Sequence, residues 1–507
     1  MKMWLLIFLS ISFSIALKFL LSNLFQKPNT KKKKLPPGPP TIPLLGNLLW
    51  LSNSPFNIEP ILRDLHAKYG PIITLHVGPW PTIFIADHSL AHEALIQKGS
   101  IFSDRPPATV PVRVTISNQY NIGSAGYGPL WRLLHRNLMS EILLPSHVKS
   151  YAQDRKWVLE ILIKQLRYQA DAGKPVCVGE SFKNTMFFLL LLMCFGHRLD
   201  ESVVKKIEDI QQQLTMILLS FNIFAFLPKL VNILFSKQWN RLLEIHHKQE
   251  QLFIPLIRAC RDRKGDDQDE KSFVFSYVDS LLALELPEEG GRKLTEGEMV
   301  SLCSEFLAAG TDTTSSSLQW IMANLVKHQD IQSKLAEEIE AVVGKEREIR
   351  EDDLEKMPYL KAVIMEGLRR HLPGHFLLPH AVSEEVTLSG YLIPKNTTIN
   401  FPVAEMGLNK EVWEDPTEFR PERFLDGGEV VDITGSREIK MMPFGAGRRI
   451  CPALGLAMLV LEYFVANLVR EFEWKAKEGE DVDLSEKNEF IIVMKNPVEV
   501  KIISRRK

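Results

Sequence analysis

The residue types best suited to chemistry lie in one short stretch, Phe444-Gly445-Ala446-Gly447-Arg448-Arg449-Ile450-Cys451-Pro452. The apolar run from Ala453 to Phe472 has helical length and spacing, which places Cys451 at or just before a helix start, with Pro452 in the first helical position. Unpaired backbone N–H groups and the positive end of the helix dipole favour a thiolate at that place. A thiolate can ligate a metal ion, and the two arginines beside it could neutralise an anionic cofactor on the same face.

The alternative for Cys451 is an inert buried side chain, which is the ordinary role of a lone cysteine. The other four cysteines are Cys177, Cys194, Cys260 and Cys303. They form no CxxC pair and no framework spacing, which indicates a reducing compartment and argues against a zinc site. The glycine- and arginine-bearing loop is what distinguishes Cys451 from them as a candidate ligand.

A second stretch suited to chemistry lies in the middle of a predicted long helix. Thr295 and Glu298 have the spacing of a capping box, and the helix that follows should span about 45–50 Å at 1.5 Å per residue. Its centre, Ala308-Ala309-Gly310-Thr311-Asp312-Thr313-Thr314-Ser315, is poor helix material. Ala309 and Gly310 would leave room above a flat cofactor, Thr313 could donate to a bound dioxygen species, and Asp312 could feed protons from the far side. The alternative is a polar kink without chemistry.

The elements that must position these residues are mostly helices. Apolar residues recur at helical spacing in four further segments, Gln153 to Leu166, Glu201 to Leu219, Ser236 to Arg261 and Ile331 to Val342. Strands are predicted at Pro71 to Val77 and Pro81 to Ala86, which form a hairpin, and at Tyr391 to Pro402 and Val498 to Ser504. The fold class is therefore mainly α with a minor β-sheet subdomain.

Composition bounds the class of protein. The chain has 507 residues, of which 45% are hydrophobic and 24% charged, and its formal net charge is −1. This balance is ordinary for a globular protein and gives no indication of nucleic-acid binding. Cys260 to Lys271 is dense in charge and is interpreted as an exposed linker. Phe221 to Leu234 is crowded with apolar side chains, and it is either core or a surface that dips into a membrane.

The N-terminus predicts one membrane anchor. Met3 to Phe25 is strongly apolar and about long enough to span a bilayer as a helix, and Lys31 to Lys34 follow it. The charge asymmetry puts the lysine side in the cytosol. We therefore divide the chain into an anchor at residues 1–26, a basic and proline-rich hinge at 27–40 that acts as a stiff spacer, and a catalytic domain at 41–507.

The motifs together resemble those of the cytochrome P-450 family, and especially its plant endoplasmic-reticulum members. Phe444, Gly447, Arg449 and Cys451 fit the family's haem-binding signature, in which the cysteine thiolate is the axial ligand. The centre of the long helix fits the family's oxygen-pocket pattern. Two further motifs agree, Glu366 with Arg369 and the segment Pro421-Glu422-Arg423-Phe424. The resemblance runs from about Pro36 to the C-terminus and implies the cytochrome P-450 fold.

The resemblance also implies roles for individual residues. It assigns Glu366, Arg369 and Arg423 to a buried structural triad that holds the cysteine loop. Trp131 matches a haem-propionate tryptophan. His135 stands where the family has arginine and can still donate to a propionate, with less charge near neutral pH, so propionate neutralisation should rest on Arg449 and His380. The segment from Pro107 to Gly123, here called the overhang, should cover the haem and shape the substrate pocket. The pocket residues implied are Ala309, Phe376 and Phe490.

The mechanism implied is that of a haem-thiolate monooxygenase. The cofactor would be haem b with its iron ligated by Cys451, and Asp312 and Thr313 would manage protons. O2 and electrons from NADPH would be co-substrates, the electrons arriving through a separate NADPH-cytochrome reductase that docks on a basic face formed by Arg132, Arg136, Lys440 and Arg448. The substrate would be a lipophilic small molecule, and the membrane location the endoplasmic reticulum, with the catalytic domain on the cytosolic face. The rival functions are a haem-thiolate isomerase or dehydratase of hydroperoxides and a haem-binding protein without turnover.

Overall fold

A computed structural model describes residues 35–42, 46–47, 58–77, 80–173, 175–221, 235–263, 274–425 and 431–506. The predicted anchor at 1–26, residues 222–234 of the apolar stretch and residues 264–271 of the charged linker lie outside the described residues. Within the described part of the chain, no helix is both long and apolar enough to cross a membrane.

Helices dominate the fold, as the sequence predicts. The α-helices in chain order are α1 Glu59–Tyr69, α2 His88–His92, α3 Val110–Thr115, α4 Pro129–Glu141, α5 Pro145–Ser150, α6 Ala152–Asp171, α7 Gly179–Phe195, α8 Glu201–Leu219, α9 Ser236–Arg263, α10 Tyr277–Ala283, α11 Glu296–Lys327, α12 Gln329–Val343, α13 Pro358–Arg370, α14 Val403–Gly407 and α15 Leu454–Glu471. A π-helical turn at Glu93–Gln97 continues α2, and 3₁₀ turns occupy Pro287–Glu289, Glu351–Lys356, Pro421–Phe424 and Gly447–Arg449.

The strands form one small mixed sheet and several shorter pairings. They are β1 Ile72–Val77, β2 Trp80–Ile85, β3 Val176–Cys177, β4 Glu285–Leu286, β5 Arg292–Lys293, β6 His380–Ala381, β7 Val386–Leu388, β8 Tyr391–Ile393, β9 Thr398–Asn400, β10 Phe472–Ala476, β11 Glu486–Asn488, β12 Ile492–Met494 and β13 Glu499–Ser504. The four-stranded sheet has the order β1-β2-β9-β6, and β2 and β9 run parallel. The predicted hairpin is confirmed as β1 and β2. The predicted strand at Tyr391 to Pro402 is instead two strands, β8 and β9, in different sheets.

The long helix α11 is the centre of the larger hydrophobic core. Its capping box is confirmed, because the Thr295 hydroxyl accepts from the Glu298 amide and the Glu298 carboxylate accepts from the Thr295 amide. The helix packs along α7 and against α9, α13 and α15, and Trp320 on it is fully buried. Gly310 lies against α7, where an added Cβ would come within 2.8 Å of Leu190. The missing side chain at Gly310 therefore makes room for a neighbouring helix, not for a cofactor as the sequence interpretation held.

The described end of the proline-rich segment packs on the sheet. The Pro37 carbonyl accepts from the Thr74 amide of β1 at 2.8 Å, and the side-chain amide of Asn47 donates to the Pro40 carbonyl at 3.1 Å. Pro36 and Pro39 are buried. The last residues of the predicted spacer are thus docked on the body of the protein.

Candidate haem-thiolate site

Hydrogen bonds within its own loop hold Cys451. Its amide donates to the Phe444 carbonyl at 2.8 Å, and Gly447–Arg449 between them forms a single 3₁₀ turn. Gly445 and Gly447 both have φ of 72°, a conformation that L side chains rarely adopt. A Cβ at Gly447 would also overlap the carbonyl oxygen of Leu95 in the π-helical turn. The two glycines are therefore required by the backbone path that presents the cysteine.

The helix after the cysteine starts later than the sequence predicts. Helix α15 begins at Leu454 with Ala453 as its N-cap, so Pro452 is not its first residue and Cys451 lies three positions before it. Burial raises the pKa of the Cys451 thiol, and a backbone hydrogen bond from Ala453 only partly offsets this effect. The predicted effect of the helix dipole is thus not enough by itself to keep Cys451 in the thiolate form. A coordinated metal ion would supply the missing positive charge, since a metal-bound thiol is deprotonated outright.

Arg449 and Arg105 bring two guanidinium groups close to this loop. Arg449 donates to the carbonyls of Ser103, Ile122 and Ala125 at 2.8, 3.2 and 2.6 Å. Arg105 donates to the Gly123 carbonyl at 2.8 Å and to two carbonyls just before β6. Burial and the neighbouring charge of Arg449 lower the pKa of Arg105 to about 9, and burial lowers the pKa of Arg449 to about 10. Each cation opposes the charge of the other, so the site favours an anionic ligand.

Arg105 is a functional candidate that sequence reasoning missed. It lies in Phe102-Ser103-Asp104-Arg105-Pro106, the stretch that directly precedes the overhang. Its contacts to residues 123 and 378–379 are long-range, and no local pattern predicts them. The sequence feature that could have indicated Arg105 is its position next to Pro106, directly before the predicted wall of the pocket.

Trp131 supplies a second observation that fits an anionic cofactor. Its ring is buried, Arg449 Cζ lies 4.5 Å from the ring centroid, and the indole Nε1 donor has no hydrogen-bond partner in the part of the chain that the structure describes. A buried donor is rarely left unpaired. The residues around it therefore fit a group with carboxylate acceptors, as the haem propionates are.

The two histidines assigned to the propionates are both poorly charged. His135 lies with its ring centroid 4.8 Å from that of Trp131, and burial followed by the charge of Arg449 lowers its pKa. His380 is buried, its Nδ1 donates to the Phe102 carbonyl at 2.7 Å, and burial lowers its pKa to about 3. His380 is thus a neutral side chain that supports the backbone near residue 102. The propionate role of His380 remains a prediction, and Arg105 is a further candidate for balancing that charge.

The predicted triad residues are in contact. Glu366 accepts from Arg369 at 2.7 and 2.8 Å and from Arg423 Nε at 3.1 Å. Arg369 also donates to the Gly407 and Pro416 carbonyls at 2.6 and 2.9 Å. Glu366 and Arg369 are fully buried. The cluster therefore ties α13 to the irregular segment between α14 and the 3₁₀ turn that carries Arg423.

The polar centre of α11 faces in more than one direction. Thr313 donates to the Ala309 carbonyl one turn earlier at 2.6 Å, and Thr311 does the same to Leu307 at 2.7 Å. Asp312 is paired with Lys183 of α7 at 3.0 Å, and both side chains are partly exposed. The cation beside Asp312 was not predicted, because it comes from another helix. Ala309 is exposed although it lies in the middle of the protein's longest described helix.

The segments predicted to line the pocket are joined by one bond from a side-chain hydroxyl and one main-chain hydrogen bond. Ser316 of α11 donates to the Ile492 carbonyl at 2.9 Å, and the Ile492 amide donates to the Pro373 carbonyl at 2.9 Å. Phe490 is 58% exposed at the turn between β11 and β12. Phe376 packs edge-on against Phe84 of β2, with ring centroids 6.4 Å apart. The pocket roles of Ala309, Phe376 and Phe490 remain predictions.

Ile122 of the overhang connects the two halves of the site. Its carbonyl accepts from Arg449, two residues before Cys451, at 3.2 Å, and its amide donates to the Glu305 carboxylate of α11 at 2.8 Å. One residue therefore links the cysteine loop to the long helix. Burial raises the pKa of Glu305, while its backbone hydrogen bonds and the two arginines act in the opposite direction.

A charged cluster holds the segment from His371 to Phe376. His375 is paired with Glu59 of α1 at 2.9 Å and with Glu486 of β11 at 3.1 Å, and His371 also contacts Glu486 at 3.0 Å. Burial opposes the charged imidazolium, but the two carboxylates raise the pKa of His375 to about 9. The cluster joins three distant parts of the chain, and no local pattern predicts it.

His375 gives the protein an alkaline limit of stability. Its folded-state pKa lies above the unfolded value of 6.5, so its contribution is complete below pH 6.5 and is lost as the pH rises through about 9. We expect the free energy of unfolding, measured by urea titration, to fall by about 3 kcal/mol more in the native chain than in His375→Gln between about pH 6 and about pH 10. Equal slopes for the two proteins would contradict this assignment.

Comparison with known proteins places the site in a family context. The family model for cytochrome P450 matches residues 36–503. The chain is 49% identical to Cytochrome P450 89A9 of Arabidopsis thaliana, over 99% of this chain and 98% of the relative. It is 32% identical to the Flavonoid 3'-monooxygenase of Arabidopsis thaliana (93% and 92% covered) and 31% identical to the Geraniol 8-hydroxylase of Catharanthus roseus (95% and 96% covered). A solved zebra fish cytochrome P450 with abiraterone shares the fold, with a TM-score of 0.72 at 22% identity, over 88% of this chain and 99% of that chain.

Proposed function

The chain belongs to the cytochrome P450 family and is a haem-dependent monooxygenase, and we propose that it oxygenates a lipophilic small molecule of plant specialised metabolism at the endoplasmic reticulum membrane. Two of the relatives are named for flavonoids and for geraniol as substrates. Electrons would come from NADPH through a separate reductase. The observation that carries this proposal is the link through Ile122, which joins the cysteine loop to Glu305 of α11, one turn before the polar centre of that helix.

The residues that would hold the cofactor follow from the contacts described above. Cys451 would ligate the iron, the Trp131 indole would donate to a propionate, and Arg105 and Arg449 would balance propionate charge. When bound, the haem activates O2, and its thiolate ligand pushes electron density toward O–O cleavage. The glycines of the loop keep side chains away from the backbone that presents the sulfur.

Asp312 and Thr313 would manage the protons that oxygen activation consumes. Asp312 is partly exposed and paired with Lys183, so its carboxylate is open to solvent and is held in place by a cation. The Thr313 hydroxyl donates to the Ala309 carbonyl, and its oxygen lone pairs can accept a hydrogen bond. To pass a proton on, the O–H would have to turn from that carbonyl to the acceptor in the pocket as the oxygen takes a proton from the other side. A carboxyl group at the surface and a hydroxyl on the adjacent residue form a short relay through the helix.

We expect replacement of the relay to separate electron consumption from product formation. In Thr313→Ala, NADPH oxidation with reductase should continue while product per NADPH falls, and in Asp312→Asn turnover should slow by about 100-fold or more, the usual contribution of a positioned acid. Thr311→Ala is the matched control, because it removes the same hydroxyl-to-carbonyl bond from a buried position on the helix. The measurement is product against NADPH consumed. Equal coupling in Thr313→Ala and Thr311→Ala would refute the relay.

The reductase would dock on a basic face near the cysteine loop. Arg132 and Arg448 both lie over the Tyr127 ring, with their Cζ atoms 5.6 and 5.5 Å from its centroid, and Arg448 also donates to the Tyr127 hydroxyl. Arg136 is exposed on the same helix as Arg132. Lys440 is paired with Glu438 at 3.0 Å. The stacked arginines present fixed positive charge, which suits an acidic partner.

Metabolite profiling tests the function. A membrane preparation of the full chain, with reductase and NADPH, is incubated with a plant extract and compared with the same preparation without NADPH. Oxygenated products that depend on both NADPH and reductase support the proposal. Turnover of a lipid hydroperoxide without NADPH would favour the isomerase or dehydratase reading, and haem binding without any product would favour a non-catalytic protein.

A further inference from the structure

Glu305 holds the overhang by its main chain. It lies one turn before Ala309 on α11, and its two carboxylate oxygens accept from the amides of Ile122 and Gly123 at 2.8 and 2.6 Å. Carboxylate–amide bonds are charge-assisted and stronger than neutral ones. The pair of bonds therefore fixes the distance between the helix and residues 122–123 from the helix side.

The same two residues are fixed from the opposite side by arginines. The Ile122 carbonyl accepts from Arg449, and the Gly123 carbonyl accepts from Arg105. Glu305 and Asp104 are the carboxylates whose negative charges favour the charged forms of both Arg105 and Arg449. The peptide between residues 122 and 123 is thus held between an acid on α11 and two guanidinium groups beside the cysteine loop.

The overhang needs such anchors because part of its backbone is strained. Ser117, Asn118 and Gln119 have φ of 44°, 57° and 71°, a run of left-handed residues without a glycine. Such conformations persist only when surrounding contacts determine them. A further hydrogen bond to α11 comes from the Ser117 hydroxyl, which donates to the Gly297 carbonyl at 3.0 Å. Release at Glu305 would therefore free the strained segment at its pocket end.

We propose that Glu305 is a positioning residue that sets the size of substrate the enzyme accepts, by fixing the height of the overhang above Ala309. This proposal rests on the proposed function, because the overhang and Ala309 are opposite walls of a substrate pocket only if the protein is an oxygenase of that kind. Glu305 and Ala309 are four residues apart and share one face of α11. Gly123 belongs to the same device, since a Cβ there would lie 2.7 Å from Glu305 Oε1.

The test compares Glu305→Gln with the native holoenzyme in two measurements. Glutamine keeps one acceptor oxygen, so one of the two bonds is lost, and amide hydrogen exchange in peptides containing Ile122 and Gly123 should rise by about tenfold. Spectral titration with imidazole and with the bulkier phenylimidazole should show an unchanged Kd for imidazole. The ratio of the phenylimidazole Kd to the imidazole Kd should change by about fivefold relative to the native protein. The matched control is Glu296→Gln on the same helix, which loses an exposed pair with Arg258 and should change neither quantity.

A second set of variants keeps the charge. Gly123→Ala should push the overhang away from Glu305 and shift the same ratio, and the double variant Glu305→Asp with Gly123→Ala should return toward the native value, because the shorter acid makes room for the methyl group. This set decides the matter if Glu305→Gln loses haem. Unchanged exchange in Glu305→Gln, or strictly additive effects in the double variant, would overturn the proposal. Amide exchange reports the anchor even if the protein proves not to be an oxygenase.

Discussion

Cys451→Ser will lose the red-shifted Soret absorption that a thiolate-ligated haem shows in its reduced carbon monoxide complex. NADPH-dependent oxygenation should fall by more than about 100-fold, because loss of a residue that merely supports a metal ligand already costs about 10–100-fold. Serine keeps the size of the side chain and the loop hydrogen bonds, which involve the backbone of residues 444–451. The fold should therefore survive, and the change reports the ligand alone.

The control for this experiment is Cys177→Ser, the same substitution at an exposed cysteine in β3. It should leave both the spectrum and the turnover at native levels. Cys194, Cys260 and Cys303 are buried in the core, so none of them is expected to replace Cys451 as the ligand. Retention of the thiolate-type band in Cys451→Ser would therefore contradict the assignment of Cys451 as the ligand.

Glu366→Gln will destabilise the protein by about 3–5 kcal/mol, the usual result of breaking a buried ion pair by removing one partner. Glu366 and Arg369 are fully buried, and the Arg423 side chain is nearly so. Glutamine leaves two guanidinium groups without a countercharge in the interior. The urea midpoint should fall, and haem should be lost from the remaining folded protein if the triad also holds the cysteine loop.

Arg420→Ala is the control for the triad. Its side chain forms an exposed pair with Glu414 at 2.6 Å, while its backbone amide donates to Glu366 and is kept in the variant. An exposed pair contributes about 0–1 kcal/mol, so the urea midpoint should hardly move. A destabilisation of Glu366→Gln no larger than that of Arg420→Ala would show that the buried charges do not brace this segment.

Local patterns predicted much of the fold. The capping box at Thr295 marks a real helix start, because the reciprocal bonds involve residues only three positions apart. Amphipathic spacing located α6, α8, α9 and α12, and the alternating β-formers located the first hairpin. In each case the determining interactions lie within a short window of sequence.

The errors arose where distant segments decide the outcome. Gly310 was interpreted through the cofactor, whereas the structure gives its space to Leu190 of α7. The pairing of Asp312 with Lys183, the contacts of Arg105 and the bridging role of His375 all join elements far apart in the chain. Pro452 has the residue type of a first helical position, but the turn formed by Pro452 and Ala453 delays the helix to Leu454.

The contact between Gly447 and Leu95 has a consequence for mutational tolerance. It is a main-chain contact, in which a glycine without a Cβ meets a carbonyl oxygen of the π-helical turn at Glu93–Gln97. The contact is made by the Leu95 carbonyl and not by its side chain, whereas any side chain at residue 447 would overlap that oxygen. The position of the cysteine therefore requires glycine at residue 447, whereas the contact that fixes it does not depend on which side chain residue 95 carries.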